Sequence, residues 1–264
     1  ITLDTLRADR LGCYGYDKAK TPALDRLARD GVRFVRAYTP RPITNTSHAS
    51  ILTGLNPSTH GVTDFGIPLG GNHVTLAQVL KQRGYSTAAF IGAVILDSNS
   101  LAPGLDRGFD HYWNFPDLPK TAPRGGRVER RGLDVVNEAT KWLSAQRLGP
   151  RFVWVHLYDA HDPYEAPAPF ANPQNPYDGE VAYTDHAVSQ FLGFLGKNGW
   201  YKDALIIAVG DHGEGLGEHG EDTHGIFLYD STLRVPLLMK LPGGALAAAV
   251  SEVPVRTTDI LPTV

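Results

Sequence analysis

The chain has 264 residues, enough for one large domain or two small ones with a substantial core. Hydrophobic residues make up 42% of it and charged residues 20%. The net charge is −3 and no long run of Lys or Arg occurs, so the composition gives no support for nucleic-acid binding. No apolar stretch approaches the roughly 20 residues that span a membrane, and we expect no membrane segment. The single cysteine, Cys13, excludes an internal disulfide, leaves the compartment open, and is interpreted as a small buried residue.

Both ends of the chain read as interrupted elements. The N-terminal ITLDTLRADR begins without Met or a signal peptide and looks like a strand entered part-way. The C-terminal TTDILPTV resembles the opening of a helix. We therefore expect residues 1–264 to form a single domain that is a fragment truncated at both ends.

Strand-length apolar runs alternate with helical patterns along the whole chain. The predicted elements, in chain order, are strand ITLD, helix TPALDRLARDG, strand VRFVRAYT, helix TLAQVLKQRG, strand YSTAAFIGA, a helix over 128–147, strand FVWVHL, a helix over 179–196, and strands DALIIAVG and VPLLMKLPG. Two helix starts have specific signals: Pro22 follows the N-cap candidate Thr21, and Thr75 with Gln78 fits a capping box. The alternation predicts an α/β fold with a mostly parallel central sheet and helices on both faces.

Two stretches rich in Pro or Gly, residues 97–126 and 162–178, are the best candidates for long loops. A third Gly-rich stretch contains GLGEHG, which formally matches GxGxxG. A dinucleotide fingerprint needs that pattern in the first strand–helix turn, with an apolar helical pattern after it. Here HGEDTHG follows, so we reject dinucleotide binding.

Polar clusters follow three of the predicted strands. Asp4 ends the first strand, His161 follows FVWVHL within YDAHDPY, and Asp211 and His212 follow DALIIAVG. Active sites of open α/β folds lie beyond the carboxyl ends of the strands, so we expect these side chains to converge. A carboxylate and an imidazole on a Gly-flanked turn can bind one cation, with Asp4 as a third ligand.

The run PITNTSHASILTG, residues 42–54, concentrates hydroxyl side chains ahead of an apolar stretch. It is typical of a helix start, because Ser and Thr cap helix N-termini, but also of a catalytic centre with a hydroxyl nucleophile. Both interpretations hold if Thr46 and Ser47 cap a helix that begins there, while Thr44 just ahead of it faces the site. The N-glycosylation pattern Asn45-Thr46-Ser47 is then accidental.

Three further histidines lie near strand ends or Gly-rich loops. His161 in AHDPY and His224 in DTHG are interpreted as functional, because His is the usual acid–base group near neutral pH. His156 falls inside a predicted strand and is interpreted as structural.

Assembled in chain order, these segments resemble the sulfatase branch of the alkaline phosphatase superfamily. The blocks with the resemblance are TLDTLRADRLGCYGY, TPALDRLARDGVRF, SHASILTGLNPSTHGV, WVHLYDAHDPY and GDHGEGLGEHGEDTHGIFLYDSTLRVPLL. The resemblance implies one catalytic domain of that fold, hydrolysis or transfer of sulfate or phosphate esters, and a divalent cation (Zn²⁺, Mn²⁺ or Ca²⁺). One cation site is favoured, and a second near His161 and His224 stays open. The substrate is expected to be a small-molecule, glycan or lipid-headgroup ester.

The chain departs from the sulfatase pattern at the nucleophile. Sulfatases have a C/S-x-P-S-R motif whose first residue becomes formylglycine, whereas the aligned residues here, 44–48, read TNTSH. Thr44 at the first position resembles the superfamily's nucleotide phosphodiesterases and its phosphoethanolamine and phosphoglycerol transferases. Asp211 followed by His212, where sulfatases have Asp-Asn, points the same way.

The resemblance therefore implies the following site. The implied cation ligands are Asp4, Thr44, Asp211 and His212. Thr44 is the implied nucleophile, a phospho-ester the favoured substrate, and His161 and His224 the side chains that contact the ester or protonate the leaving group. Two alternatives stay open: a sulfuric ester hydrolase that uses Thr44 without formylglycine, and a catalytically silent, ligand-binding member of the fold, which His48 in place of the motif's Arg would favour.

Overall fold

The computed structural model describes residues 1–116, 129–146 and 149–264. Within these ranges nine strands form one sheet. They are β1 (Thr2–Leu3), β2 (Val32–Tyr38), β3 (Ser86–Phe90), β4 (His111–Trp113), β5 (Arg151–Leu157), β6 (Ile206–Gly210), β7 (Arg234–Lys240), β8 (Ala249–Ser251) and β9 (Val255–Arg256). Their order is β4-β3-β5-β1-β6-β7-β2-β8, with β9 also paired to β2. Only β7 runs antiparallel to its neighbours β6 and β2, so the predicted mostly parallel sheet is confirmed.

Helices cover both faces of this sheet, as predicted. They are α1 (Pro22–Arg29), α2 (Thr44–Thr53), α3 (Pro57–His60), α4 (Leu76–Gln82), α5 (Gly132–Ala145), α6 (Pro176–Lys197), α7 (Asp230–Leu233) and α8 (Ile260–Thr263). On one face α1, α5 and α6 share an apolar core with the sheet. On the other face α2 contributes Ala49, Leu52 and Ile51 to two smaller cores.

The strands divide their side chains between these cores with the period of two that a strand imposes. In β3, Ala88 and Phe90 face the α1/α5/α6 core, whereas Ala89 faces the α2 side. In β5, Val155 faces the first core and Trp154 the second. This two-sided burial explains why the central strands read as continuous apolar runs.

The predicted starts of α1 and α4 are confirmed, but the residue that caps α1 differs from the prediction. Thr75 and Gln78 form the predicted capping box at α4, with reciprocal bonds of 3.2 and 3.0 Å. Thr21 is the N-cap residue of α1, but its side chain makes no cap bond. The carboxylate of Asp185 in α6 accepts the amides of Ala23 and Leu24 instead, at 3.0 and 2.8 Å.

Several boundaries differ from the predictions. The stretch 97–126 contains the short edge strand β4, and α6 takes up the last residues of the predicted loop 162–178. The helix predicted over 128–147 is α5, which runs from 132 to 145; residues 117–128 and 147–148 lie outside the described residues. Cys13 is half-buried against the first core rather than fully buried. Among the helices described, none combines the length and the apolar composition needed to cross a membrane.

Candidate functional site

The three strands that end in polar clusters are neighbours in the sheet. β1 lies between β5 and β6, with Thr2 opposite His156 on one side and Val209 on the other. Asp4 and Asp211 therefore leave adjacent strands at the same level. The Asp4 amide donates to the Leu157 carbonyl (2.9 Å), and the Asp211 amide donates to the Leu3 carbonyl (3.2 Å). The expected convergence at the carboxyl edge of the sheet is what the backbone pairing produces.

Two unusual backbone positions shape the turns after these strands. Thr5 has a φ of +51°, a left-handed conformation that is uncommon for a β-branched residue. Its amide donates to Asp211 Oδ1 (3.2 Å) and its carbonyl accepts the Tyr177 hydroxyl (2.7 Å), so the strained turn is held on both sides. Gly213 packs so tightly that an added Cβ would collide with the Ser231 carbonyl. Both turns direct polar side chains inward.

Thr44 is the first residue of α2, which corrects the predicted helix start at Thr46 or Ser47. Ile43 is the N-cap, in extended conformation, and no side chain caps the helix. The Ile43 carbonyl accepts the Ser47 amide (2.8 Å), so the first helical turn already includes Thr44. The Ser47 hydroxyl is used elsewhere: it donates to the Asp211 carbonyl (2.7 Å) and joins α2 to the end of β6.

The predicted cation ligands meet at one buried point. His212 Nε2 lies 3.1 Å from Thr44 Oγ1, 3.5 Å from Asp211 Oδ2 and 3.8 Å from Asp4 Oδ1. All four residues are at most 3% exposed. Tetrahedral ligands at about 2.0–2.1 Å from a metal lie roughly 3.3 Å from each other, which is close to these separations.

The hydrogen bonding of the two carboxylates fits a bound cation. Asp4 Oδ2 is paired with His156 Nε2 (3.1 Å), and Asp211 Oδ1 accepts the amides of Thr5 (3.2 Å) and His212 (2.7 Å). The other oxygens, Asp4 Oδ1 and Asp211 Oδ2, are buried and have no hydrogen-bond partner in the part of the chain that is described. Buried oxygens without a partner are rare and costly, and these two face the same imidazole.

His212 is presented as a metal-binding histidine would be. Its Nδ1 lies 2.9 Å from the Gly213 carbonyl, which can only accept, so Nδ1 carries the proton and Nε2 presents a lone pair. Burial, together with the neighbouring His224, lowers the pKa of His212 well below its usual value, so the ring is neutral. A neutral imidazole is the form that binds a cation.

The two carboxylates repel each other inside this buried site. Burial raises the pKa of Asp211 well above its usual value, and the adjacent charge of Asp4 adds to that effect. Burial would also raise the pKa of Asp4, but the hydrogen bond from His156 and the nearby imidazoles outweigh it and lower that pKa. A divalent cation between the two carboxylates would remove the repulsion.

A second group of buried ligand-type side chains, His48, His156 and Asp211, lies directly behind the first. His48 Nδ1 donates to the Thr44 carbonyl (2.7 Å) and its Nε2 accepts the Thr2 hydroxyl (2.9 Å). His156 Nδ1 accepts the Gly92 amide (3.3 Å), and its Nε2 is bonded to Asp4. Both imidazoles are fully used in hydrogen bonds, so Asp211, which also belongs to the first group, is the member with an oxygen left for a cation.

His161 and His224 lie together beside His212. The His224 ring is 4.3 Å from the His212 ring and 5.1 Å, edge-on, from the His161 ring. His161 stacks on Tyr158 (4.4 Å), and its Nδ1 donates to the Asp162 carbonyl (2.6 Å). Neither belongs to a group of three metal-ligand side chains among the described residues, so no ligand set for a second cation is formed there.

Sequence reasoning missed residues that orient this site. His156 does lie inside β5, as predicted, but it also holds the Asp4 carboxylate. Glu214 is fully buried and accepts His224 Nδ1 at 3.0 Å. Burial lowers the pKa of His224, but the hydrogen bond to Glu214 outweighs it and raises that pKa above its usual value. The signal available in the sequence was an acidic residue, Glu214, three residues after the predicted ligand Asp211.

Comparison with known proteins agrees with this architecture. The sequence profile of the family described as Sulfatase matches residues 1–264. The chain is 27% identical to the ulvan-active sulfatase of Formosa agariphila (99% of this chain, 59% of that protein) and 26% identical to arylsulfatase A of Homo sapiens (100% and 62%). It spans about six-tenths of the length of these relatives.

The fold has close counterparts among solved structures. The phosphonate monoester hydrolase of Agrobacterium radiobacter superposes with a TM-score of 0.83 at 22% identity, over 99% of this chain and 71% of that one. The match of the family profile to the whole chain, with this shared architecture, shows that the chain belongs to the sulfatase family, within the alkaline phosphatase superfamily.

Proposed function

We propose that the chain is the catalytic part of a divalent-cation-dependent ester hydrolase or transferase that attacks through Thr44, with a phospho-ester as the favoured substrate. The observation that carries the proposal is a pair of buried oxygens, Asp4 Oδ1 and Asp211 Oδ2, with no hydrogen-bond partner in the described ranges. Both lie within 4 Å of His212 Nε2, which itself lies 3.1 Å from the Thr44 hydroxyl. The site thus combines a cation-binding donor set with one adjacent alcohol.

Asp4, Asp211, His212 and Thr44 would hold the cation. When bound, a divalent cation lowers the pKa of a coordinated hydroxyl and neutralises charge on the transferred group. An unassisted Thr hydroxyl is a weak nucleophile near neutral pH, so activation of Thr44 is required. The Ser47 bond to the Asp211 carbonyl keeps Thr44 and Asp211 at a fixed separation.

In the proposed reaction Thr44 Oγ1 attacks phosphorus or sulfur and its proton passes to solvent. The bond to the leaving alcohol breaks as the Thr44 ester forms, and the alcohol leaves with its electron pair and takes a proton from an imidazole. Water then attacks the Thr44 ester and gives a proton back to that imidazole, while the Thr44 oxygen leaves with its electron pair and takes a proton from solvent. An acceptor alcohol in place of water makes the same sequence a transfer.

His161 and His224 are the proposed proton donors and ester contacts. Each uses Nδ1 for a bond within the protein, to the Asp162 carbonyl or to Glu214, and keeps Nε2 for the site. The first amides of α2 add donors for an anion beside Thr44, because they have no partner within the helix.

A phospho-ester is favoured on the residue pattern. Thr44 in the nucleophile position and His212 after Asp211 match the superfamily's phosphodiesterases and transferases rather than its formylglycine sulfatases. The curated relatives are named sulfatases, so a sulfate ester of a glycan or a smaller molecule, cleaved through Thr44 without formylglycine, is the second candidate.

The test combines metal analysis with matched substrates. Purified protein loaded with Zn²⁺, Mn²⁺ or Ca²⁺ is assayed on 4-nitrophenyl sulfate, 4-nitrophenyl phosphate and bis(4-nitrophenyl) phosphate. We expect stoichiometric metal and the fastest turnover on a phosphate ester. Faster turnover of the sulfate selects the second candidate, whereas no bound metal and no turnover selects the catalytically silent alternative.

A further inference from the structure

Glu214 is a fully buried carboxylate whose partners all come from the loops around the site. Its Oε1 accepts His224 Nδ1 (3.0 Å) and the Gly215 amide (3.3 Å), and its Oε2 accepts the Tyr164 hydroxyl (3.1 Å). The cation site and the nucleophile do not use this residue. Its bonds reach instead toward the two segments that bear the site histidines.

The bond to Glu214 fixes which nitrogen of His224 faces the site. The Glu214 oxygens act as acceptors for the Gly215 amide and the Tyr164 hydroxyl, so His224 Nδ1 is the donor in its own bond to Glu214, and Nε2 is the nitrogen left for a ligand. The ring is held against those of His212 and His161, at 4.3 and 5.1 Å between centroids. Without the bond, rotation about the Cβ–Cγ bond would exchange the positions of the ring edges.

Tyr164 extends the same carboxylate to the other histidine. It lies three residues after His161, in the segment that follows β5, and its ring packs edge-on against Tyr177 (5.4 Å). Its hydroxyl donates to Glu214 Oε2. One carboxylate therefore connects the loop after β6, which contains His224, with the loop after β5, which contains His161.

The backbone around Glu214 is anchored well enough to act as a fixed support. The amides of Gly213 and Glu214 donate to the carbonyls of Thr232 (2.8 Å) and Ser231 (3.1 Å). The Glu214 carbonyl accepts the Arg7 guanidinium at 3.1 Å. A side chain supported in this way can hold a partner ring within the narrow geometry that catalysis requires.

We propose that Glu214 is a positioning residue, which holds His224 with Nε2 toward the ester and, through Tyr164, keeps the His161 segment in register with it. The catalytic consequence rests on the proposed function, but the orientation of His224 does not. The arrangement follows the general rule that a carboxylate bonded to one imidazole nitrogen sets the tautomer and aim of the other.

The kinetic test is a double-substitution cycle on the metal-loaded protein. We expect Glu214→Ala to lower kcat by about 100-fold with little change in KM, and Glu214→Gln, which can still accept from Nδ1, to recover most of that loss. In a His224→Ala background, Glu214→Ala should lower kcat by no more than about 10-fold, because only the bond to Tyr164 is left to lose. Asp222→Asn, at an exposed carboxylate two residues before His224, is the matched control and should leave kcat within about 2-fold.

Equal effects of Glu214→Ala with and without His224 would overturn the proposal, since a merely structural role acts independently of that ring. A second measurement needs no activity. In wild-type protein labelled with 15N-histidine, the His224 resonances, identified by their loss in His224→Ala, should show a protonated Nδ1. A neutral Nε2–H tautomer overturns the proposal. Absence of turnover with a protonated Nδ1 instead removes the proposed function and leaves the positioning of His224 supported.

Discussion

Two adjacent groups of buried Asp and His side chains share Asp211 and differ in one property. Asp4, Asp211 and His212 form one, and His48, His156 and Asp211 form the other; in both, the ligand atoms lie within 4.8 Å of one another and every residue is buried. In the first group two carboxylate oxygens have no hydrogen-bond partner among the described residues, whereas in the second both imidazoles have bonds at both nitrogens. Burial and spacing therefore do not distinguish the proposed cation site. Its distinguishing feature is the pair of carboxylate oxygens, Asp4 Oδ1 and the shared Asp211 Oδ2, that accept no hydrogen bond from the described residues.

The two imidazoles of the second group hold residues of the proposed cation site by hydrogen bonds. His156 fixes one oxygen of Asp4, which leaves the other directed at His212. His48 holds the Thr44 carbonyl and is itself held by Thr2, whose hydroxyl also accepts the Trp154 indole N–H (2.8 Å). Burial lowers the pKa of His48 to about 3, so this hydrogen-bond chain is uncharged near neutral pH. The two hydrogen-bonded imidazoles, His48 and His156, thus support Thr44 and Asp4.

The largest expected effect is that of removing the hydroxyl of Thr44, the proposed nucleophile. Thr44→Ala should lower kcat by about 10⁴-fold or more while the thermal midpoint changes little, because one hydroxyl is removed from a chain that keeps its packing. Turnover of the chromogenic esters and a melting curve measure the two quantities. Thr46→Val, two residues along α2, is the matched control and should retain activity. Near-wild-type turnover in Thr44→Ala would remove Thr44 from the mechanism.

Cation affinity should separate the two groups of side chains. Asp4→Asn removes the charge of one unpartnered oxygen, and we expect divalent-cation affinity to fall by about 100-fold or more. His48→Gln, at an imidazole whose two nitrogens are both hydrogen-bonded, should leave the cation affinity within about 3-fold. Titration against a competing chelator measures both. Equal losses of affinity in the two variants would mean that His48 also binds the ion.

Breaking the hydrogen-bond chain from Trp154 through Thr2 to His48 should lower the free energy of unfolding more than it lowers turnover. Thr2→Val keeps the side-chain shape but leaves the Trp154 N–H and His48 Nε2 without a partner, and we expect a loss of about 2–3 kcal/mol in the free energy of unfolding. Thr46 provides the contrast, because its hydroxyl is buried with no hydrogen-bond partner among the described residues. Thr46→Val should be neutral or slightly stabilising. Denaturant titrations of the two variants would have to give similar losses to contradict this.

The smallest expected effect concerns Asp185 of α6, a carboxylate with both oxygens hydrogen-bonded to the first turn of α1. Burial raises the pKa of Asp185 to about 6, although it accepts the two α1 amides. Because the folded-state pKa is above the unfolded value of about 3.9, its contribution to stability is complete below pH 4 and is lost as the pH rises toward 6, by about 2–3 kcal/mol. Asp185→Asn should flatten that slope and cost about 1 kcal/mol of cap energy at low pH. An unchanged slope between pH 4 and 6 would show that Asp185 does not titrate there.

Much of the fold could be predicted because its signals are local. The capping box of Thr75 and Gln78, the apolar runs of β3, β5 and β6, and the family's blocks in order all depend on residues close together in the chain. Boundaries were less predictable. Thr46 and Ser47 have the residue types of N-caps, yet α2 begins at Thr44, because the Ser47 amide already bonds to the Ile43 carbonyl; the Ser47 hydroxyl bonds to the Asp211 carbonyl.

The sequence by itself predicted that strands and helices alternate, that three strands end in polar clusters, and that Thr44 takes the place of the first residue in the sulfatase motif. Tertiary structure alone decided that β7 runs antiparallel, that Asp4 and Asp211 each keep one oxygen without a hydrogen-bond partner among the described residues, and that Glu214 is bonded to His224. The physical reason is range. Periodicity and caps act within a few residues, whereas the donors that saturate a buried side chain come from strands and loops up to about two hundred positions apart, such as Thr5 and Asp211 with a separation of 206.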